Sequence, residues 1–150
     1  MSRVHFAASR RCAFTLIELV VVIMILGILA AVAAPKLFNT SSTATENGVR
    51  QTLKIVRDAV QMYASQNGGA FPPCTSTGAD FKTALEPFIR GAFPISPVGA
   101  KNSDVTPSTG ATTTADATPT TGWKFNTQTG DFICNTAEIA PAANVAYETF

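Results

Sequence analysis

Histidine is nearly absent from this chain of 150 residues, because the single copy, His5, precedes a long apolar run. Imidazole is the most frequent general base in enzymes and a common metal ligand. Cys74 could act as a nucleophile, but no histidine follows the apolar run to activate it. We therefore expect no enzymatic activity and no catalytic residue.

Charged side chains are also scarce, at 14% of the residues, and they form no basic cluster. Three arginines precede the apolar run, and the part after residue 13 holds eight basic and ten acidic side chains. Proteins that bind nucleic acid neutralise its phosphates with clustered lysine and arginine. This weakly acidic body predicts a solvated mixed surface, and we expect no nucleic-acid partner.

One apolar run dominates the N-terminal part of the sequence. It extends from Phe14 to Ala34. As a helix it would be about 31 Å long, close to the roughly 30 Å hydrocarbon thickness of a bilayer. Arg10 and Arg11 precede the run, and an A-x-A sequence ends it at 31–33, which is also the pattern of a cleaved secretory signal. The run is therefore a signal anchor, a cleaved signal or a segment that occupies the membrane temporarily.

Glu18 is unusual at the head of such a run, because an acid in a spanning helix costs about 2.5 to 3.5 kcal/mol on insertion scales. The carboxylate could reach the membrane interface, but apolar residues at 14–17 extend the run beyond it. If the chain were cut before Phe14, the new α-amine would lie four positions from Glu18 on the same helical face. A neighbouring molecule's amine could serve equally well. The sequence therefore indicates a charge pair that depends on processing.

The stretch RRCAFTLIELV resembles the prepilin cleavage and methylation signature of type IV pilins and type II secretion pseudopilins. The resemblance implies that a prepilin peptidase removes residues 1–13 as a leader, cuts between Ala13 and Phe14, and methylates Phe14. Glu18 takes the place of the family's assembly glutamate, and Pro35 takes that of its helix-bending proline. Ala13 departs from the pattern, because the family usually has glycine before the cut.

A second apolar pattern follows in the more polar part of the chain. Apolar residues recur at spacings of four and three, which is typical of an amphipathic helix with one buried face. They are Val49, Leu53, Val56, Val60 and Tyr63. A glycine pair and a proline pair then end the pattern, and Pro35 loosens a continuing helix because it lacks a backbone donor. We predict one long helix from Phe14 to about Gln66, bent at Pro35.

The remainder of the chain must cover this one-sided helix. Asp80 could cap a short helix that runs to about Leu85. The loop 98–122 is rich in Thr, Ser, Ala, Pro and Gly, and we predict no regular structure there. Residues 123–125 and 132–134 flank a glycine-containing turn, the pattern of a β-hairpin whose aromatic residues pack on the helix. The sequence therefore predicts an α+β fold with a small antiparallel sheet.

This arrangement resembles the pilin fold, and the stretches YASQNGGAFPP and GWKFNTQTGDF resemble the major pseudopilin of type II secretion. The resemblance implies three parts. They are the leader at 1–13, a membrane and assembly helix at 14–35, and a periplasmic pilin-like domain at 36–150 that includes the loop 98–122.

Three aspartates lie in or beside the loops of the predicted domain: Asp104, Asp116 and Asp131. Ca²⁺ takes several oxygen ligands, and the resemblance to major pseudopilins implies a calcium site in this region. The spacing is not that of an EF-hand loop, and solvated loop acids are the alternative. Calcium is the one cofactor that we consider for this chain.

The three cysteines divide between the two sides of the predicted membrane segment. Cys12 lies beside the arginines, which the positive-inside bias places in the cytoplasm, whereas Cys74 and Cys134 follow the segment. Two cysteines in an oxidising compartment can pair. We therefore predict a disulfide between Cys74 and Cys134, with two buried thiols as the alternative.

The resemblance implies a structural subunit of a type II secretion pseudopilus. Such a subunit is stored in the bacterial inner membrane with its C-terminal domain in the periplasm, and it is polymerised to drive protein export. Its partners would be identical and related pilin-like subunits, prepilin peptidase, an inner-membrane assembly platform and membrane lipid. A type IV pilin with a role in adhesion, motility or DNA uptake is the first alternative. The second is a secreted binding domain released by a signal-peptidase cut after Ala33.

Overall fold

The computed structural model describes residues 14–150, so the predicted leader with Ala13 lies outside the described residues. The chain divides into two compact units, one that ends at Phe38 and one that comprises Asn39–Phe150. The helices and strands agree with the predicted α+β class. In chain order they are α1 (Leu16–Gln66), α2 (Ala79–Leu85), β1 (Val105–Ser108), β2 (Trp123–Asn126), β3 (Phe132–Cys134), β4 (Ile139–Ala140), β5 (Val145–Ala146) and a 3-10 helix (Tyr147–Thr149).

Helix α1 begins two residues later than predicted and ends at the predicted Gln66. It continues as a helix past Pro35, and the bend at that proline stays a prediction. Gly68 has a φ of 66°, and the Gly69 amide donates to the Ala64 carbonyl at 2.8 Å. A left-handed residue followed by this hydrogen bond is typical of a Schellman motif. The glycine pair therefore ends the helix.

The second part of α1 buries one face in a hydrophobic core. The predicted stripe is confirmed, because four of its residues are at most 1% exposed and the fifth packs against the same core. They are Val49, Leu53, Val56, Val60 and, at the edge, Tyr63. The rest of the second unit packs against this face of α1.

Strands β2 and β3 form the predicted hairpin. They pair antiparallel, with Trp123 opposite Cys134 and Phe125 opposite Phe132. Residues that lie directly opposite each other share one face of a sheet, and all four side chains are fully buried. The ring of Phe81 from α2 lies 4.4 Å, centroid to centroid, from that of Phe125. The aromatic face of the hairpin therefore lies in the core.

Strand β1 corrects two predictions. It lies within the loop 98–122, for which no regular structure was expected, and it pairs in parallel with β2, with Val105 opposite Trp123. The sheet, in the order β1-β2-β3, is therefore mixed rather than antiparallel. Strand β1 lies at the edge of the sheet. An edge strand tolerates Pro107, because the N–H that proline lacks is not needed for pairing with strands on both sides. The loop-like composition concealed a four-residue strand in which Val105 is the buried residue.

Buried asparagines hold the rest of that loop. The Asn126 side chain donates to the Gly110 carbonyl at 2.6 Å, and the Asn135 side chain accepts from the Asp116 amide at 2.8 Å. Both asparagines are fully buried. Since buried polar groups are costly without partners, each asparagine selects the loop conformation that satisfies it.

Helix α2 has the predicted extent, but Asp80 is not its cap. The N-cap residue is Gly78, with a φ of 70°, and Asp80 lies in the first turn. The Asp80 carboxylate instead accepts from the Thr75 amide and hydroxyl, both at 2.9 Å. A Cβ at Gly78 would lie 2.6 Å from the Cβ of Val105, so close packing against β1 selects glycine there.

A second sheet, formed by β4 and β5, is absent from the sequence-based predictions. Ile139 of β4 lies opposite Ala146 of β5. Glu46 on α1 is buried, and its two carboxylate oxygens accept hydrogen bonds from the amides of Ala142 and Ala143 at 2.6 and 3.1 Å. This carboxylate holds the turn of the β4–β5 hairpin against α1.

We predict that Glu46→Ala loosens the β4–β5 hairpin, because two backbone amides lose a charged acceptor. The expected loss is about 1.5 to 3 kcal/mol in the free energy of unfolding, with faster hydrogen exchange at Ala142 and Ala143. Urea titration and amide exchange of the full chain measure these effects. Glu86→Ala is the matched control, since Glu86 is exposed. Equal effects of the two variants would contradict the anchoring role of Glu46.

Candidate processing and assembly site

The start of α1 carries a reciprocal pair of polar side chains. The amide and the hydroxyl of Thr15 donate to one oxygen of Glu18, Oε2, at 2.9 and 2.8 Å. The Glu18 amide donates back to the Thr15 hydroxyl oxygen at 3.3 Å. This arrangement is a capping box, in which two backbone donors at the start of a helix are satisfied by side chains.

Thr15 is absent from the sequence-based predictions, although a Thr-x-x-Glu pattern before an apolar run is the signal of a capping box. The capping box stabilises the start of a membrane helix in particular, because a backbone N–H without an acceptor costs several kcal/mol in hydrocarbon. Glu18 therefore has a structural partner within its own chain, in addition to any amine that it meets later.

The surroundings of Glu18 are apolar and open. Phe14, Ile17, Val21 and Val22 line a groove together with Glu18. The second carboxylate oxygen, Oε1, accepts no hydrogen bond from residues 14–150. A positive group that entered this groove would therefore find a charged acceptor. The α-amine of Phe14 exists only after cleavage, so its pairing with Glu18 stays a prediction.

The helix that follows is exposed along its whole apolar length. Leu16–Ala34 is long and apolar enough to cross a membrane, and none of it is buried by the residues that the structure describes. Its large aliphatic side chains are between 42% and 81% exposed. Soluble proteins rarely leave so large an apolar surface uncovered. Among residues 14–150, this is the one helix whose length and composition suit a membrane anchor.

These features define a class of protein: an α+β chain with an apolar N-terminal helix of membrane-spanning length, whose first turn is capped by Thr15 and Glu18. The family described as the prokaryotic N-terminal methylation motif matches residues 8–34. The type IV narrow pilus major component of Thermus thermophilus is 34% identical over 86 residues, which cover 48% of this chain and 74% of that relative. No solved structure gives a significant match. The chain belongs to the type IV pilin-like family, which confirms the resemblance at the level of the family; the comparisons do not distinguish a pseudopilin from a pilin.

The two cysteines of the second unit are buried and unpaired. Cys74 and Cys134 are both free thiols, so the structure has the alternative arrangement rather than the predicted disulfide. The Cys134 sulfur lies 3.5 Å from the Ser96 hydroxyl oxygen and 3.8 Å from the Gly122 carbonyl oxygen, which already surround it. Burial raises the pKa of Cys74 to about 12, with a further contribution from the Asp80 charge, and burial raises the pKa of Cys134 to about 11. Both thiols therefore stay protonated near neutral pH.

The three aspartates considered for calcium do not converge. Lys82 donates to Asp104 at 3.0 Å, Lys124 donates to Asp116 at 2.6 Å, and Asp131 accepts from a threonine hydroxyl at 2.6 Å. Residues 14–150 hold no group of three His, Cys, Asp or Glu side chains placed to bind a metal. Because Ca²⁺ takes six to eight oxygen ligands, this donor set does not fit the ion.

Lys124 supplies the positive charge beside Asp116. Its side chain is only 13% exposed, and Asn135 donates to the other oxygen of Asp116 at 2.9 Å. The hydrogen bond from Lys124 is the main cause that lowers the pKa of Asp116 below its ordinary value. Lys124 therefore occupies, with its positive charge, the carboxylate of Asp116 that was considered as a calcium ligand.

We predict that the native protein resists iodoacetamide at the two buried thiols, because their raised pKa values keep them protonated. After denaturation without reductant, peptide mapping by mass spectrometry is expected to find Cys74 and Cys134 both alkylated. The mapping also separates these sites from Cys12. Finding both peptides unmodified and joined to each other would mean that the thiols form a disulfide.

The ion pair of Lys124 and Asp116 predicts a stability contribution that depends on pH. Because the pKa of Asp116 is lower in the folded state than in the unfolded state, the stabilisation is present above about pH 4 and is lost as pH falls through the folded pKa. Lys124→Gln is expected to cost about 1 to 2 kcal/mol in the free energy of unfolding at neutral pH, an amount that shrinks in acid. Urea titrations across this pH range measure the difference.

Lys54→Gln is the control for this experiment, since it breaks a more exposed pair with Asp58 and should cost little. Added calcium is expected to change neither variant. A Lys124→Gln loss that stayed constant into acid would show that Asp116 is not the partner that matters.

Proposed function

We propose that the protein is the structural subunit of a filament, held in the bacterial inner membrane by its N-terminal helix until it is polymerised. The observation that carries this proposal is the uncovered apolar helix with Glu18 at its head. Lipid covers this surface in the membrane, and the helices of neighbouring subunits cover it in the filament. The same side chains then serve both states, because lipid tails and packed helices are similarly apolar.

Prepilin peptidase is the proposed processing enzyme. It cuts between Ala13 and Phe14 and methylates Phe14, which leaves a positive amine one residue before the capping box of Thr15. Arginines before the helix favour a cytoplasmic N-terminus by the positive-inside bias. The second unit then lies in the periplasm, and an inner-membrane assembly platform adds subunits to the filament.

Glu18 sets the axial register between subunits in this proposal. Thr15 occupies Oε2 of Glu18, which leaves Oε1 for the Phe14 amine of a neighbouring subunit. The attraction between the two charges is stronger than at a solvated surface, because packed helices exclude water. A subunit at another axial offset would leave a charge unpaired in apolar surroundings, which is strongly unfavourable. One offset is therefore selected.

Two filaments are candidates. The Thermus relative is named as the major component of a type IV pilus, which favours a pilus subunit with a role in adhesion, motility or DNA uptake. The stretch GWKFNTQTGDF, most of which lies in the hairpin of β2 and β3, resembles major pseudopilins, and this resemblance favours a type II secretion pseudopilin. A deletion strain separates them: a pilus subunit is required for surface fibres, whereas a pseudopilin is required for release of exported proteins from the periplasm.

A secreted binding domain is the candidate from another class. It requires a signal-peptidase cut after Ala33, whereas the methylation motif matched at 8–34 favours the prepilin cut. A mature chain that begins at Ala34 would contradict the filament proposal.

We predict that Glu18→Ala leaves membrane insertion and cleavage intact but strongly reduces filament assembly, because the neighbour's amine loses its acceptor. Intact mass should show a chain that begins at methylated Phe14 for both wild type and variant. Electron microscopy and shearing of fibres measure assembly. Thr15→Val is the matched control, since it removes the capping hydroxyl and keeps the carboxylate, and it should assemble better than Glu18→Ala. Normal fibres from Glu18→Ala would rule out the register mechanism.

A further inference from the structure

Two Asn-Gly pairs are exposed in the second unit, and they lie in different backbone surroundings. Asn47 and Gly48 lie inside α1, whereas Asn67 and Gly68 follow its last residue, Gln66. Glycine after asparagine favours reaction of the asparagine side chain with the next backbone nitrogen, because glycine has no Cβ that hinders the approach. Since both pairs share this sequence and this exposure, the backbone around them decides their relative reactivity.

The turn after α1 leaves one backbone amide without an acceptor. The Asn67 amide donates to the Tyr63 carbonyl at 3.0 Å. The Gly69 amide donates to the Ala64 carbonyl at 2.8 Å. Between them, the Gly68 amide donates to no acceptor in the part of the chain that the structure describes, and Gly68 is exposed with a φ of 66°. Its nitrogen can therefore lose its proton to solvent without first breaking a hydrogen bond within the chain.

Helix α1 protects the other pair. Gly48 lies well inside this helix, where each amide donates to the carbonyl four residues earlier. That hydrogen bond must open before the Gly48 nitrogen can react, and Glu46 anchors this part of α1 to the turn of the β4–β5 hairpin. Local opening is rarer inside a packed helix than at its end. Asn67 is therefore the more reactive of the two asparagines.

We propose that Asn67 is a site of spontaneous modification, at which its side-chain amide is converted to a carboxylate. The Gly68 nitrogen loses its proton to hydroxide and attacks Cγ of Asn67. A C–N bond forms and the Cγ–Nδ2 bond breaks, so that ammonia leaves with a proton taken from water. Water then opens the cyclic imide at either of its two carbonyl carbons, which gives aspartate or isoaspartate. The inference is independent of the proposed function, because water and hydroxide are the only other reactants.

The new carboxylate weakens the end of α1. The Asn67 side-chain nitrogen, Nδ2, donates to the Tyr63 carbonyl at 2.8 Å, and a carboxylate cannot donate this hydrogen bond. The C-terminal end of a helix also disfavours negative charge, and the last turn of α1 contains no basic side chain that would offset it. The Tyr63 ring packs edge-on against that of Phe88 beside the core. Modification therefore loosens the last turn of α1 next to the hydrophobic core.

Peptide mapping of the full chain in detergent tests the site. Trypsin releases Asn47 and Asn67 in separate peptides, 37–50 and 58–82, and mass spectrometry detects the exchange of an NH₂ group for OH in each. During incubation of the folded chain, Asn67 is expected to react about tenfold or more faster than Asn47, because the helix must open at Asn47. The rate at Asn67 should rise with pH, since hydroxide removes the Gly68 proton. Equal rates at the two sites would overturn the proposal.

Unfolding the chain in urea supplies the control, because both sites have the Asn-Gly sequence. Without the helix, Asn47 and Asn67 are expected to react at similar rates. A tenfold difference that persisted in urea would show that the neighbouring residues, and not the fold, select Asn67, and the structural argument would then fail.

The consequence of the modification is tested with Asn67→Asp. This variant is expected to speed amide hydrogen exchange at position 67 and at Gly69 by roughly two- to fivefold, because the end of α1 gains a negative charge and loses a donor. Gln66→Glu is the matched control, since it adds the same charge to the last turn but keeps the hydrogen bond from Asn67 to Tyr63, and it should have a smaller effect. Unchanged exchange in Asn67→Asp would rule out the loosening of α1.

Discussion

The contact between one face of α1 and the aromatic face of β2 and β3 supports the whole second unit. An amphipathic helix cannot cover its own apolar stripe, so its stability depends on what packs against it. Trp123, Phe125 and Phe132 provide that cover, and aromatic side chains of this size each bury about 150 to 250 Å². The Trp123 ring nitrogen also donates to the Pro94 carbonyl at 2.9 Å, so the core fixes the segment after α2.

Polar side chains then determine how the loops lie over this core. Two carboxylates accept hydrogen bonds from backbone amides at turns. Glu46 does so at the β4–β5 hairpin, and Asp80 does so at the turn before α2. Arg57 on α1 donates to the Phe132 and Phe150 carbonyls at 3.0 and 2.9 Å. Each of these groups would be costly to bury alone, so each one is bound to a specific backbone position.

The N-terminal unit obeys a different constraint, since none of the stretch Leu16–Ala34 is buried by the described residues. Backbone donors at its start are satisfied by Thr15 and Glu18, which allows the helix end to lie in an apolar medium. The remaining apolar surface must be covered by lipid or by other subunits. In the proposed function, membrane storage and polymerisation are two ways of covering the same apolar helix.

The residues of α1 and of the β2–β3 hairpin could be predicted from the sequence, because their periodicities of 3.6 and 2 reflect burial on one face. The membrane anchor and the family were also predictable, since the methylation motif and the apolar run are local in sequence. Strand β1, the free thiols and the partners of Asp104 and Asp116 were not, because each depends on a residue that is distant in sequence. Val105 becomes a strand residue only beside Trp123, and Asp116 meets Lys124 only when the loop folds back over β2. Local pattern determined the helix, the hairpin and the anchor, whereas tertiary packing decided the sheet order, the thiols and the ion pairs, because long-range contacts leave no periodic signal in one sequence.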